Sequence, residues 1–274
     1  MIYALLALLA LTLIYLFLIR PTPCGLLMRS PFANRNYAHR GFYLPDQSIP
    51  ENSLDAFKRA VEFDYGVELD VQFTRDRQLI VFHDDTLKRA CGVDARVDEY
   101  TFEELQALRL FDTEHRIPLF SEVLKALDGR VPAIVELKSR PDYKPLCEAV
   151  LSMLSEYEGA FCVESFDPRI VRYFRLSAPH IIRGQLTQPY SSRSRSKSPA
   201  AAFAMSRLLT SFYTRPHFIA FGVRGRRNLS WFLSKAMGAL MVCWTVKSEA
   251  EMDKLKLRYD AVIFEHFTPD SRYY

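Results

Sequence analysis

The chain has 274 residues, with 36 Lys or Arg against 32 Asp or Glu, so its formal charge is only +4. This small excess does not indicate a nucleic-acid-binding protein. A composition of 49% hydrophobic residues with 10 Gly and 15 Pro excludes collagen-like, low-complexity and wholly disordered chains. The 5 cysteines are scattered without a CxxC pair, which argues against a disulfide framework or zinc cluster and favours a reducing compartment.

The first segment, Ile2 to Ile19, contains no charged residue and predicts a transmembrane helix. As a helix it would rise about 27 Å, at the short end of what crosses a hydrocarbon core of about 30 Å. The alternative is a cleaved signal peptide, but the segment lacks a basic n-region and an A-x-A-like site. Pro21, Thr22 and Pro23 do not form a lipobox before Cys24. We therefore predict a retained anchor over residues 1–20.

The charges beside this anchor predict its orientation. The nearest arginines all lie on its C-terminal side: Arg20, Arg29, Arg35 and Arg40. By the positive-inside rule we expect a single N-terminal helix to anchor the protein in the membrane, with the rest of the chain in the cytoplasm.

After a linker at residues 21–35, short apolar runs alternate with amphipathic segments, which predicts βα units and a parallel sheet. The eight predicted strands are Asn36–His39, Gly66–Phe73, Pro132–Leu137, Ala160–Ser165, His180–Gln185, Phe218–Gly222, Leu240–Val246 and Asp260–Phe264. The clearest predicted helices are Ser53–Phe63, Thr101–Leu110, Ser121–Leu127, Lys144–Leu154 and Pro168–Phe174. Leu79–His83 predicts an inserted hairpin strand. The predicted fold class is α/β: a (β/α)8 TIM barrel over residues 36–274 with a small inserted hairpin, preceded by one N-terminal transmembrane helix.

A basic, serine-rich insert at residues 188–207 interrupts this pattern. One interpretation is a flexible, solvated loop. The other is an amphipathic lip on anionic lipid headgroups. Its cations are Arg193, Arg195, Lys197 and Arg207.

Polar residues cluster at the predicted strand ends, where a barrel places its active site. His39 and Arg40 follow the first strand, as a general acid or base and a phosphate-binding arginine would, although such a pair is also common in purely structural roles. Glu68 and Asp70 lie two residues apart on one strand and therefore project to the same face. Two inward carboxylates repel each other unless a cation or a shared proton relieves them, and a hard divalent ion is the usual solution.

Two further strands carry the same kind of signal. His83 ends the hairpin strand, where a structural histidine is the alternative. Glu136 and Lys138 interrupt a buried strand, which is costly unless the charges are paired or bind a ligand. Glu136 would complete a three-carboxylate metal site, and Lys138 could hold a phosphate oxygen. Together these residues indicate a metal-assisted site for a phosphate ester.

The ordered motifs resemble those of the glycerophosphodiester phosphodiesterase family, within the phosphatidylinositol-phospholipase-C-like phosphodiesterase superfamily. The matching segments are His39-Arg40-Gly41, Pro50-Glu51-Asn52-Ser53 with Ala56-Phe57, Glu68-Leu69-Asp70-Val71 with Thr74 and Asp76, Val81-Phe82-His83-Asp84, Glu136-Leu137-Lys138 and Trp244-Thr245-Val246. The resemblance covers residues 36–266. It departs late in the chain, where Lys247 and Glu265-His266-Phe267 replace the family's usual residues, and this leaves substrate selectivity open.

The resemblance implies a role for each candidate residue. His39 and His83 would be the catalytic acid/base pair. Glu68, Asp70 and Glu136 would bind one divalent cation, Mg²⁺ or Ca²⁺. The substrate-binding residues would be Arg40, Lys138, Trp244 and Glu51. In the family's usual mechanism the glycerol 2-hydroxyl attacks phosphorus, and water then opens the cyclic phosphate.

These residues predict metal-dependent hydrolysis of glycerophosphodiesters to glycerol 3-phosphate and an alcohol. The first alternative is a lysophospholipase D-like enzyme acting on lysophospholipids, which the anchor, the basic insert and the 13% aromatic content favour. The second is a non-catalytic, membrane-tethered protein that binds lipid headgroups. The expected partners are one of these substrates and membrane lipids, but not nucleic acid; the oligomeric state is left open.

Overall fold

A computed structural model describes residues 1–188, 198–223, 225 and 227–273. Within these residues, eight parallel strands form a closed barrel, because β1 pairs with both β2 and β9. The strands are β1 (Arg35–His39), β2 (Gly66–Phe73), β3 (Leu79–Val81), β4 (Ala133–Leu137), β5 (Phe161–Ser165), β6 (Arg183–Thr187), β7 (Phe218–Gly222), β8 (Leu240–Val246) and β9 (Ala261–Phe264). The ninth strand, β3, pairs antiparallel with β2 as the inserted hairpin. The predicted TIM barrel is confirmed.

Helices surround the barrel and connect its strands. They are α1 (Ile2–Ile19), α2 (Leu26–Arg29), α3 (Leu54–Glu62), α4 (Lys88–Cys91), α5 (Phe102–Leu105), α6 (Phe120–Leu127), α7 (Tyr143–Ser155), α8 (Pro168–Ser177), α9 (Pro199–Ser206), α10 (Ser211–Thr214), α11 (Leu229–Ala236) and α12 (Glu249–Leu255). Short 3₁₀ turns lie at Val97–Glu99 and Leu110–Asp112.

Two predicted elements differ from the structure. The fifth barrel strand, β6, begins at Arg183, later than the predicted His180. The predicted helix Thr101–Leu110 is only the turn α5, although its capping box between Thr101 and Glu104 forms. The chain then turns back, because the Leu110 amide donates to the carbonyl of His115. This turn packs Leu110 into a small hydrophobic cluster over the hairpin.

The N-terminal region combines an apolar helix with a packed segment below the barrel. Helix α1 is the one helix among the described residues that is long and apolar enough to cross a membrane. In the predicted linker at residues 21–35, Cys24 and Phe32 are buried against the amino ends of the strands. Residues 189–197 of the predicted basic insert lie outside the described residues, and the remainder includes helix α9.

Candidate active site

Three carboxylates meet at the carboxyl end of the barrel. Asp70 on β2 is in register with Glu136 on β4, and Glu68 lies two residues earlier on the same face of β2. Each of the three side chains offers an oxygen, and these oxygens lie within 4.8 Å of one another. All three residues are buried. The structure therefore brings together the carboxylates that the sequence predicts as metal ligands.

Two cations reach into this cluster. Lys138 Nζ lies 2.6 Å from Asp70 Oδ1 and 3.0 Å from Glu136 Oε1. The Arg40 guanidinium lies 3.6 Å from Asp70 Oδ2, and its backbone amide donates to Glu68 Oε2 over 3.1 Å. Both predicted phosphate contacts are thus beside the carboxylates, where a bound phosphodiester would also be held.

The loop that carries Arg40 is shaped by local backbone geometry. Arg40 has a φ of +55°, and Gly41 follows with a φ of +79°. A Cβ at Gly41 would lie 2.9 Å from Ala56 Cβ, so a side chain there would collide with helix α3. The close approach lets the Arg40 carbonyl accept a hydrogen bond from the Asn52 amide. The H-R-G motif therefore fixes the position of Arg40 through its glycine.

The segment at residues 50–53 supports the same loop from the other side. Glu51 Oε1 accepts a hydrogen bond from Arg40 over 2.7 Å. The Asn52 side-chain amide donates to Asp70 Oδ2 over 2.9 Å. Ser53 caps helix α3, since its hydroxyl oxygen accepts from the amide of Ala56. Glu51 and Asn52 thus hold Arg40 and Asp70 in position, and Ser53 fixes the start of the helix behind them.

The two histidines flank the cluster, and each is held through Nδ1 by a carboxylate. His39 Nδ1 lies 2.5 Å from Glu265 Oε2, while its Nε2 lies 4.0 Å from Glu68 Oε2. His83 Nδ1 lies 2.6 Å from Asp84 Oδ1. A carboxylate at Nδ1 assigns the proton of a neutral imidazole to that nitrogen and leaves Nε2 as an acceptor. Burial lowers the pKa of His39 although Glu265 opposes the shift.

A fourth buried carboxylate lies next to the predicted three. Glu164 on β5 is in register with Glu136, and its Oε2 has no hydrogen-bond partner among the described residues. Burial, followed by the charges of Glu68 and Glu136, raises the pKa of Glu164 well above its ordinary value. The pKa values of Glu68 and Glu136 are raised as well, mainly by burial.

The charge balance of this region fits a divalent cation. Four buried carboxylates face two cations, Arg40 and Lys138. Arg40 is also shared with Glu51, a fifth buried carboxylate. If every group is ionised, at least two negative charges are left without a counter-charge, which is unfavourable in a buried site. Carboxylate oxygens are also the ligands that Mg²⁺ and Ca²⁺ prefer. The donor set, the burial and the charge deficit therefore all suit a hard divalent ion.

Most of these side chains, but not Asp70 or Lys138, line an open cleft of about 550 Å³. Trp244 forms part of its wall and packs edge-to-face on Phe166 with ring centroids 5.5 Å apart. Glu51 also faces the cleft and is bonded to Arg40 and Arg89. All nine residues predicted for the site thus lie in or directly below one cleft.

Sequence reasoning missed several residues of this site. Glu164 carried a usable signal, since it is a carboxylate inside an apolar predicted strand, as Glu136 is. Arg89 binds both Glu51 and Asp84, but it lies on the short helix α4, whose position the sequence did not predict. Glu265 was noted only as a departure from the family motif. Its contacts with His39, Tyr43 and Lys247 depend on the tertiary structure.

Comparisons with known proteins agree with this geometry. Residues 39–268 match the model of the glycerophosphoryl diester phosphodiesterase family. The Bacillus subtilis (strain 168) protein YhdW is 29% identical over 240 residues, covering 84% of this chain and 93% of YhdW. A lysophospholipase D of Homo sapiens is 30% identical over 137 residues, covering 45% of this chain and 42% of that protein.

The fold has close structural counterparts. A phosphodiesterase of Oleispira antarctica, solved in complex with its product sn-glycerol-3-phosphate, superposes with a TM-score of 0.70 at 21% identity. The match covers 86% of this chain and 94% of that one. Because the family model spans most of the chain and the barrel is complete, this protein belongs to the glycerophosphoryl diester phosphodiesterase family and is a phosphoric diester hydrolase.

Proposed function

We propose that the protein hydrolyses glycerophosphodiesters to glycerol 3-phosphate and an alcohol in a reaction that depends on a divalent cation. The observation that carries this proposal is the buried cluster of Glu68, Asp70 and Glu136, with Lys138 ion-paired to Asp70 and Glu136. The family membership and the glycerol phosphate product of the Oleispira antarctica enzyme support the substrate class.

Each site residue has a role in this reaction. Glu68, Asp70 and Glu136 would hold Mg²⁺ or Ca²⁺, which when bound supplies positive charge to the phosphodiester oxygens. Arg40 and Lys138 bind the same anionic group. Trp244 and Glu51 stay predicted substrate contacts on the wall of the cleft.

The histidines move the protons. One of the pair, His39 or His83, accepts a proton at Nε2 from the glycerol 2-hydroxyl that attacks phosphorus. The other donates a proton to the departing alkoxide. Water then opens the cyclic phosphate. Glu265 and Asp84 orient the two rings, so that Nε2 exchanges the proton in each case.

The test is a product analysis with the full chain in detergent. Glycerophosphocholine and lysophosphatidylcholine are incubated separately, with and without chelator, and the phosphate-bearing product is identified by mass spectrometry. We expect glycerol 3-phosphate from the first substrate, and no product in chelator. Glu68→Gln should also give no product, whereas the exposed Glu62→Gln, its matched control, should act as the native chain does. Binding of substrate without any product would support the non-catalytic headgroup-binding alternative instead.

The second candidate is lysophospholipase D-like activity, which the apolar helix α1 favours because it would hold the enzyme near lipid substrates. The partial match to human lysophospholipase D supports the same candidate. Faster formation of lysophosphatidic acid from the lysolipid than of glycerol 3-phosphate from the water-soluble substrate would make it the main activity.

We also propose that α1 is a retained membrane anchor with the barrel on the cytoplasmic side. Ile19 is fully buried against the barrel, and the Thr22 and Cys24 amides donate to the carbonyls of Pro216 and Gly238. Loss of a signal peptide would remove part of this packing. Of the insert's cations, Arg207 is described and lies over the Phe203 ring; Arg193, Arg195 and Lys197 lie outside the described residues. Their contact with anionic lipid stays a prediction.

A further inference from the structure

Within the part of the chain that the structure describes, only the last residues of helix α1 contact the barrel. Residues 1–14 are exposed, whereas Ile19 is buried. The Tyr15 hydroxyl lies 2.8 Å from Ser230 Oγ, and Ser234 Oγ donates to the Ile19 carbonyl over 3.3 Å. Both bonds join residues that are 215 positions apart. Helices α1 and α11 therefore lie side by side and run in the same direction.

This register fixes the end of the barrel from which α1 emerges. Helix α11 leads from the carboxyl end of β7 to the amino end of β8, so its first residues lie on the side of the active-site cleft. The chain after α1 reaches the opposite end, where Cys24 bonds to Gly238 just before β8. Residues 2–14, a helix of about 20 Å, therefore project beyond the barrel on the side of the cleft.

Exposed apolar side chains lie on α11, which packs beside α1, and on α9, which is joined to α11. Phe203 on α9 is 53% exposed, and Leu229 and Phe232 on α11 are 62% and 54% exposed. The Asn228 side-chain amide donates to the Ser206 carbonyl over 2.9 Å, which joins the end of α9 to the start of α11. We call Phe203, Leu229 and Phe232 the apolar rim. Large apolar side chains exposed on adjacent helices are candidates for an interaction surface.

The length of α1 restricts where a bilayer can lie. All 18 residues of α1 together rise about 27 Å, against a hydrocarbon core of about 30 Å. Because Tyr15 to Ile19 are packed on the barrel, only about 20 Å of the helix is free of it. The free part alone is too short to cross the core. If α1 spans the core, the hydrocarbon boundary therefore lies at or below the level of Tyr15, which is also the level of the apolar rim.

We propose that the apolar rim is a lipid-binding surface that docks the cleft side of the barrel on the bilayer. The occupant is the headgroup and upper acyl region of the membrane that α1 crosses, into which apolar side chains insert by about 5–10 Å. The catalytic cleft then opens beside the headgroup layer. This gives access to amphiphilic phosphodiesters whose tails stay in the membrane. The inference rests on the proposed anchoring and phosphodiesterase activity. It is tested by how deeply the rim side chains enter the bilayer, rather than by turnover.

The test uses tryptophan fluorescence of the full chain reconstituted into phosphatidylcholine vesicles with or without brominated acyl chains. Phe203→Trp and Leu229→Trp report on the rim. Leu27→Trp and Leu257→Trp are matched controls at the opposite end of the barrel, where the native side chains are 93% and 82% exposed. The emission added by each substitution is measured against the parent chain, which contains Trp231 and Trp244. We expect brominated lipid to quench the added emission at the rim and leave that of both controls unchanged.

Three other results would overturn the proposal. Quenching at neither end, in protein that floats with the vesicles, would show that α1 anchors a barrel held away from the bilayer. Quenching at Leu27→Trp or Leu257→Trp in place of the rim would show the reverse orientation. Failure to float with the vesicles would refute the anchoring itself and the rim with it. Turnover of glycerophosphocholine, measured on the same samples, separates each of these results from a failure of the proposed enzyme activity.

Discussion

The two ends of the barrel interior are built from the same strands, but one end is lined by apolar side chains and the other by ionisable ones. On β4, Ile134 near the amino end and Glu136 near the carboxyl end face the interior two residues apart. On β5, Cys162 and Glu164 repeat this pair one strand away. A two-residue step along a strand thus separates a packed apolar layer from a layer of ionisable groups. Fold stability and catalysis are therefore assigned to different layers of one barrel.

The apolar layer, called the lower layer from here on, also affects the pKa values of the ionisable groups above it, called the upper layer. Tyr37, Ile134 and Cys162 are almost fully buried and pack with Phe32 beneath the carboxylates. These side chains bury the carboxylates from that side, and burial raises the pKa of Glu68 and Glu136. Charged carboxylates in this position are unfavourable without a cation. The comparison predicts that substitutions in the upper layer reduce turnover, and that those in the lower layer reduce stability.

The largest effect is expected for the proposed metal ligands. Glu136→Gln keeps the shape of the side chain but removes its charge, so it should lower turnover by at least about 10²-fold, as expected when several kcal/mol of transition-state stabilisation are lost. The thermal midpoint should not fall, because a repulsive buried charge has been removed. Turnover and circular dichroism melting measure the two properties. Full activity of the native chain in excess EDTA would contradict this prediction.

The second effect concerns the histidines at the edge of the upper layer. His39→Ala and His83→Ala should each lower the rate by about 10² or more, since each removes one half of an acid/base pair. Both variants should still unfold cooperatively. His115→Ala is the matched control, because His115 lies outside the cleft and contacts Asp55. Near-native turnover of either site variant would assign that histidine a structural role.

Much of the barrel could be predicted because its strands are short apolar runs separated by helical patterns. Buried strands such as Gly66–Phe73 and Leu240–Val246 were found with their observed bounds. The failures are local: the predicted helix at Thr101–Leu110 is broken because residues of the hairpin region pack into their own small cluster. Periodicity reports which residues are apolar, but not which of two hydrophobic clusters will bury them.

The site was predictable where its residues share a strand or a motif. Glu68 and Asp70 follow from alternation along β2 alone. The bond between Glu265 and His39 could not be derived in this way, because it joins residues 226 positions apart across the closure of the barrel. The carboxylate that orients His39 therefore requires the structure, whereas Asp84, which orients His83, is its neighbour in the sequence.

The third effect belongs to the lower layer. Ile134→Ala should destabilise the fold by about 2–5 kcal/mol, because Ile134 is 2% exposed and its removal leaves a cavity beneath the site. Turnover per folded molecule should stay close to that of the native chain. Denaturant unfolding gives the first quantity, and turnover at a temperature where the variant is folded gives the second. A large loss of turnover in the folded variant would show that the two layers are not separable.

The smallest effect is a change in the pH dependence of stability, and it isolates Glu164. Burial and the neighbouring carboxylates raise its pKa in the folded chain above the ordinary 4.5. The folded state then binds this proton more tightly than the unfolded state, so the contribution of Glu164 to stability falls as pH rises above 4.5. Glu164→Gln removes this loss. In chelator, its stability relative to the native chain should increase by up to about 1.4 kcal/mol per pH unit until the raised pKa is passed. The exposed Glu148→Gln should give a curve parallel to that of the native chain, and the same parallel curve for Glu164→Gln would mean that this carboxyl is ionised without cost.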